Sequence, residues 1–387
     1  VDDAAATKLE VDDAAATYQP ISTLDAALAA RVSTTGTSVN TEIQAIADAS
    51  AAYAAGPKVS QVDFDSAIAA LFAGYIIAPA PTGGDDTAML NAILASAAGK
   101  TVLLKGGATY YITAALIVLS KTTFDLNGAT INAAGIAAGT ALAQRFAIRS
   151  DGSLGSTIAV SNSLTQWTRS VTGIASTTGL AAGDVVLISN DEVVAPGMNL
   201  STRKKGELNV IATVDSGTAV TLTHGMALAY GTTGLTIRKM TPTENVTIRN
   251  GNIIMGGVGS AHNGAEIAYG RNARIEKIRC DGAEDVALGL KSVLNGDIEN
   301  NVAINCTSNT TLLLGDTGYG VCVWDASRHV RVTNNYFQNN RHHIAGGGIL
   351  PPMFVDVIDN HGRKSSSASY DCHEPCHYWK FKNNTAE

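Results

Sequence analysis

Charged and aromatic side chains are both scarce in these 387 residues: Asp, Glu, Lys and Arg make up 16%, and Phe, Trp and Tyr 5%. A basic excess is also missing. With 27 Lys and Arg against 34 Asp and Glu, the net charge is −7, which argues against nucleic acid and anionic membrane as partners. No apolar run approaches the roughly 18 residues of a membrane-crossing helix, the longest candidate, 114–119, being strand-sized. The five cysteines, Cys280, Cys306, Cys322, Cys372 and Cys376, are odd in number and confined to the last third, unlike the framework of a small disulfide protein. Most are expected to act as small buried hydrophobes, with Cys372 and Cys376 the more exposed pair. The start, Val1-Asp2-Asp3-Ala4, has neither the basic region nor the apolar block of a signal peptide, and the chain reads as a piece of a longer one. The composition is nonetheless 45% hydrophobic with 38 Gly, too apolar for disorder, so burial must rest on stacked Ala, Val, Ile and Leu.

Val1-Asp2-Asp3-Ala4-Ala5-Ala6-Thr7 returns as Val11-Asp12-Asp13-Ala14-Ala15-Ala16-Thr17, a unit too short to fold alone. Ile21, Leu24, Leu28 and Val32, then Val39, Ile43 and Ile46, describe one narrow helical stripe, which suits an oligomer seam or a helix docked on the next domain. Gly56-Pro57 ends it, a short helix carries Ile68, Leu71, Phe72 and Tyr75, and Pro79-Ala80-Pro81 with Gly83-Gly84 marks a linker. The first expected units are therefore a stem (1–56) and a short helix with its linker (57–84).

At Asp85 the character changes to a capped helix and short strands at 101–104, 110–113, 116–119 and 122–126. Gly84-Asp85-Asp86-Thr87-Ala88, the helix to Ala98, Gly99-Lys100-Thr101-Val102-Leu103-Leu104, Tyr110-Tyr111-Ile112-Thr113 and Asp125-Leu126-Asn127-Gly128-Ala129-Thr130-Ile131 come in that order. Together they resemble the entry of the pectate-lyase-like right-handed parallel β-helix of bacteriophage tailspikes. Lys105-Gly106-Gly107 departs from the Pro-Ala-Gly of many relatives.

Periodicity supports the same reading independently. An apolar residue, any residue, then Asn or Asp with Asn or Gly recurs at Ile248, Ile298, Val332, Val357 and Phe381, with an imperfect copy at Ile275; the steps are 27, 23, 34, 25 and 24 residues. This is the length of one solenoid coil of about three short strands. Asn is needed because it tolerates a left-handed turn and can bond to stacked copies of itself. The pattern lapses over 140–240, where 181–188, 208–214 and 219–222 read as strands of a small insertion. The expected fold is mainly β: a β-helix entering at 85–139, an inserted β module at 140–240, coils at 241–387, and an α-helical oligomerisation stem.

Residues that could carry chemistry lie mostly in the late coils. His373-Glu374-Pro375-Cys376-His377 fits the spelling of a zinc-helix motif, but Pro375 and the strand-like residues after it deny the helix. No cofactor is expected; a structural ion on Cys372, Cys376 and a histidine is the alternative left open. Arg341-His342-His343 and Asp371-Cys372-His373-Glu374 resemble a recurring pattern of phage β-helix proteins. Asp371, Glu374, His373 and His343 are the candidate catalytic groups, since imidazoles and carboxylates about 5–8 Å apart could move protons across a glycosidic bond. The alternative is a polar ladder that only satisfies loop backbone. Arg341, His342, Asp285, Glu284, Trp324 and Asp325 are candidate substrate contacts, Trp324 as a stacking platform or as core. Aligning Ile278 with Tyr336 sets Glu284 and Asp285 beneath His342 and His343; Glu266 and Asp316 are further candidates.

The resemblance implies a homotrimeric virion tailspike, attached to tail or baseplate proteins through its N-terminal region, that recognises and cleaves a bacterial surface polysaccharide at the host surface as a hydrolase or lyase. The alternative is a non-enzymatic tail fibre that binds a receptor. A secreted polysaccharide lyase would call for calcium-binding Asp clusters and an export signal, and the residues show neither.

Overall fold

A computed structural model of the chain describes residues 73–136, 145–194, 202–256, 263–307, 318–373 and 376–387. The expected stem, the repeat at its start and the helical stripe lie outside the described residues, as do Glu374 and Asp316. Within them the chain winds into a stack of coils, each with three short strands that pair in parallel with the coils above and below. Each coil closes its inner face on the core and leaves alternate residues outside, so the inward positions stack into continuous apolar columns. In the first sheet that column is Val102, Phe124, Ile248, Ile275, Ile298, Val332 and Val357, paired rung to rung. In the third sheet it is Leu116, Ile148, Ala265, Leu288, Val321 and Ile344. The second sheet contributes Tyr110, Ile131, Ile253, Cys280, Ala303 and Phe337. All of these belong to one core cluster, into which helix Thr87–Ala95 buries Leu90 and Leu94.

The turn between the first and second sheets explains the Asn pairs. The first residue of each pair sits at positive φ (Asn300 58°, Asn334 56°, Asp359 55°, Asn383 52°), a region Asn and Asp tolerate better than most. The second bonds upward: Asn301 Nδ2 donates to Asn335 Oδ1 at 3.0 Å, Asn335 to Asn360 at 2.9 Å, and Asn360 to Asn384 at 2.9 Å. The same amides also donate to carbonyls such as Ile298 O and Val332 O, so both N–H groups of these buried amides find a partner.

The coils continue through Phe146–Asp151, which pairs with Leu116–Ile117 and Asn263–Ala268; the insertion therefore begins beyond residue 140, at Ser153. It is a six-stranded antiparallel sheet in the order Ser153–Ala159, Thr236–Thr241, Val185–Val193, Lys204–Ser216, Ala219–Leu222, Ser170–Thr172. It has its own core around Val186, Ile188, Ile211 and Ile237. Its other side, Val185, Leu187, Leu208 and Met240, packs on Leu294 and Ala326 of the coils. Beside that seam Arg328 forms a fully buried pair with Glu207 at 2.6 Å.

Candidate functional site

Strand alternation turns every second residue of the first sheet outward. Thr247, Arg274, Asp297, Arg331, Asp356 and Lys380 form one outward column, paired across successive coils. They floor a groove of about 760 Å³. The sign of charge alternates along this column. Asp297 is held by Arg331 at 2.7 Å and Arg274 at 3.4 Å, and Arg274 also reaches Glu276 and Glu299.

One wall of the groove is the corner column Asn245, Asn272, Asn295, His329, Phe354 and Tyr378. All six have φ between 51° and 61°. The three Asn bond to one another, Asn272 to Asn245 at 3.1 Å and Asn295 to Asn272 at 3.3 Å. The next three are aromatic: His329 stacks on Phe354 with centroids 5.2 Å apart, and Phe354 on Tyr378 at 4.7 Å with planes 5° apart. Such rings at positive φ carry strain of about 1–2 kcal/mol that Asn would largely avoid, which points to a use for the column they build. The insertion adds His224, 5.1 Å from His329, and Trp167, 5.7 Å from Tyr378. Tyr378 and Trp167 remain 44% and 56% exposed. Burial, with help from Arg328 and His224, pushes the His329 imidazole down to about 4, so near neutral pH it is an uncharged ring.

No motif in the sequence points to this wall, though a signal for it exists: His329, Phe354 and Tyr378 each stand five residues before a turn residue, Asn334, Asp359 and Asn383, as Asn295 stands before Asn300.

The residues singled out from sequence fall on the third sheet. His342, Asp371 and His373 come together: His342 Nε2 lies 3.4 Å and His373 Nε2 3.3 Å from Asp371 Oδ2. His342 Nδ1 bonds to the Ala368 carbonyl, and its ring packs against Tyr319 at 5.4 Å and edge-on to His373 at 5.4 Å. Burial holds the His342 imidazole below its ordinary value. Arg341 lies over the Tyr319 ring and reaches its hydroxyl at 3.5 Å.

The other positions differ from expectation. His343 points into the corner between the second and third sheets, fully buried and stacked on Phe337 at 5.6 Å, so it does not join Asp371 as a catalytic group. The register differs from the one expected: Val286, Tyr319 and His342 pair, which sets Asp285 two coils beneath Arg341, with Glu284 in the same buried turn. Asp325 is taken up by a turn, accepting from Ile349 N at 2.6 Å and pairing with Lys291 at 3.5 Å. Trp324 is half-buried against the apolar patch Val286, Tyr319, Cys322 and Ala345, so it is packing more than platform. Glu266 is in the next column, beside Arg149 and Gly289. His377 begins strand His377–Lys382, which removes the zinc-helix geometry.

Three parallel faces, Asn-lined corners and an antiparallel insertion define a right-handed parallel β-helix protein, and the right-handed β-helix family model matches residues 211–351. Among solved structures the chain is similar to the tailspike protein gp49 of Pseudomonas phage LKA1, at 20% identity and TM-score 0.65, over 77% of this chain and 49% of that one. It is similar to the Gp54 tailspike of Acinetobacter baumannii bacteriophage AP22, solved in complex with A. baumannii capsular saccharide, at 17% identity and TM-score 0.64, over 78% and 48%. For the tailspike gp61 of Pseudomonas phage phi297 the values are 17%, 0.57, 76% and 47%. The chain spans about half the length of these proteins. No curated protein matches it in sequence.

Proposed function

We propose that the chain is part of a phage tailspike that recognises a bacterial surface polysaccharide, laying it along the groove of the first sheet. The carrying observation is the wall of stacked His329, Phe354 and Tyr378 above a floor of alternating charges. The stacked rings cover one another's faces and leave a strip of apolar ring edges along the groove, against which the C–H faces of sugars can pack, while guanidinium and carboxylate groups bond to their hydroxyls. The tailspike likeness supports the glycan class, one such structure holding a capsular saccharide. Of the two carboxylates on the floor, Asp297 is engaged by Arg331 and Arg274, while Asp356 stands between Arg331 and Lys380 in the column. In the proposed assembly the spike is a homotrimer at the virion tail, anchored through residues 1–56.

Titrating the purified protein against a panel of capsular and lipopolysaccharide glycans tests the reading. One glycan should bind, and Phe354→Ala and Tyr378→Ala should each weaken it at least about 10-fold, about 1.4 kcal/mol, while circular dichroism shows both variants still folded at the temperature of the titration. Unchanged affinity in both variants, or no glycan bound, overturns it. Reducing ends measured in the same mixtures report any cleavage.

A further inference from the structure

We propose that His342 Nε2, His373 Nε2 and Asp371 Oδ2 form a site for a divalent ion of the zinc type on the third sheet. The three atoms lie within 4.8 Å of one another. Two come from one strand and turn, Tyr370–Cys372 with His373 just after it, and the third from His342–Gly347 on the coil below. An ion there would tie adjacent coils together.

The local hydrogen bonding is hard to satisfy without a cation. His342 Nδ1 donates to the Ala368 carbonyl at 2.5 Å, which places the proton of the neutral ring on Nδ1 and leaves a lone pair on Nε2. That lone pair is shielded from water, has no hydrogen-bond donor, and faces a carboxylate oxygen 3.4 Å away. His373 Nε2 is likewise without a hydrogen-bond partner, 3.3 Å from the same oxygen. The His342 lone pair and the Asp371 oxygen thus converge with His373 Nε2, which offers a third lone pair in the Nδ1–H tautomer that no hydrogen bond opposes. The fixing of His342 by a backbone carbonyl is the outer-sphere bond that metal-bound imidazoles use.

The spacing also fits. Ligands about 2.0–2.1 Å from a tetrahedral zinc ion are separated by about 3.3 Å, close to both nitrogen–oxygen distances. Two imidazoles with one carboxylate are a borderline donor set, suited to zinc ahead of calcium or magnesium. Asp371 and His373 keep 28% and 37% of their side-chain surface exposed, so a fourth position faces solvent. The nearby Cys372 and Cys376 thiols, the sequence-level candidates for a structural ion, are not part of this set.

The test uses the full chain stripped with chelator and titrated with Zn²⁺ alone. One ion per chain should bind with a Kd in the micromolar range or tighter and raise the melting temperature, and X-ray absorption should show nitrogen and oxygen neighbours without sulfur. Asp371→Asn and His373→Gln, both partly exposed and so expected to fold, should abolish uptake; Cys372→Ser with Cys376→Ser should retain it. No uptake by the native chain, sulfur among the ion's nearest neighbours, or loss of the ion with the cysteines overturns the proposal.

Discussion

Glu266 points outward from the third sheet between Arg149 and Gly289, yet it is only 4% exposed. Burial is the main cause that lifts its carboxyl to about 7; Lys291 and Arg149 oppose the rise, and Asp151 and Asp285 add to it. From an ordinary value of 4.5, the folded state holds this proton more tightly than the unfolded chain. Below pH 4.5 the group is neutral in both states and costs nothing. Between 4.5 and 7 stability falls as pH rises, and above 7 the full penalty, about 3 kcal/mol, is present. Glu266→Gln should melt like the native protein at pH 4 and progressively higher than it toward pH 8. A melting-temperature difference that does not change with pH would refute this. Nothing in the sequence places Glu266 geometrically, whereas the Asn pairs are legible because their chemistry is local: positive φ and self-pairing need only a residue type and a period. The aromatic wall obeys the same period but not the same residue type, so a search for Asn stops at Asn295. His343 and the register of Asp285 are not readable, because turns absorb different numbers of residues, so the offset that aligns two coils on the second sheet, Arg279 with Tyr336, is one residue off on the third, Val286 with His342.

Between elements, the docking of the insertion hangs on a group that sequence does not advertise. Arg328 is 2% exposed; besides Glu207 it donates to the Leu208 carbonyl at 3.0 Å and the Gly225 carbonyl at 3.2 Å. Glu207, wholly buried, accepts from Ala227 N, Leu228 N and the Tyr230 hydroxyl. Burial raises the Glu207 carboxyl even with Arg328 against it, a sign that the pair exists at the limit of what desolvation permits. Removing one partner strands the other. Arg328→Met should therefore cost about 3–5 kcal/mol in urea melts, while adding Glu207→Leu should recover much of the loss. Equal losses in the single and double variants would mean that packing, not charge, holds the seam. The insertion's strands are visible in the sequence as alternating runs, but its attachment is not: Arg328 and Glu207 lie 121 residues apart, and only the fold brings them together.

The stack of coils sets what size of partner the groove can take. From Thr247 to Lys380 the outward column crosses six levels, and at about 4.8 Å per level the floor is roughly 24 Å long. Each level repeats the same kind of contact, a floor residue beside a corner residue, with the rings concentrated over the last three. A solenoid adds contacts level by level, so a linear glycan gains affinity with every unit that reaches another level, and none once its length exceeds the floor. Monosaccharides and disaccharides cut from a binding polysaccharide should bind at least about 100-fold more weakly than fragments near 24 Å, and longer fragments should add less than about 3-fold. Calorimetry over a size-fractionated series reads this directly. A disaccharide that binds as tightly as the polymer would place recognition in a compact pocket and remove the groove from the account.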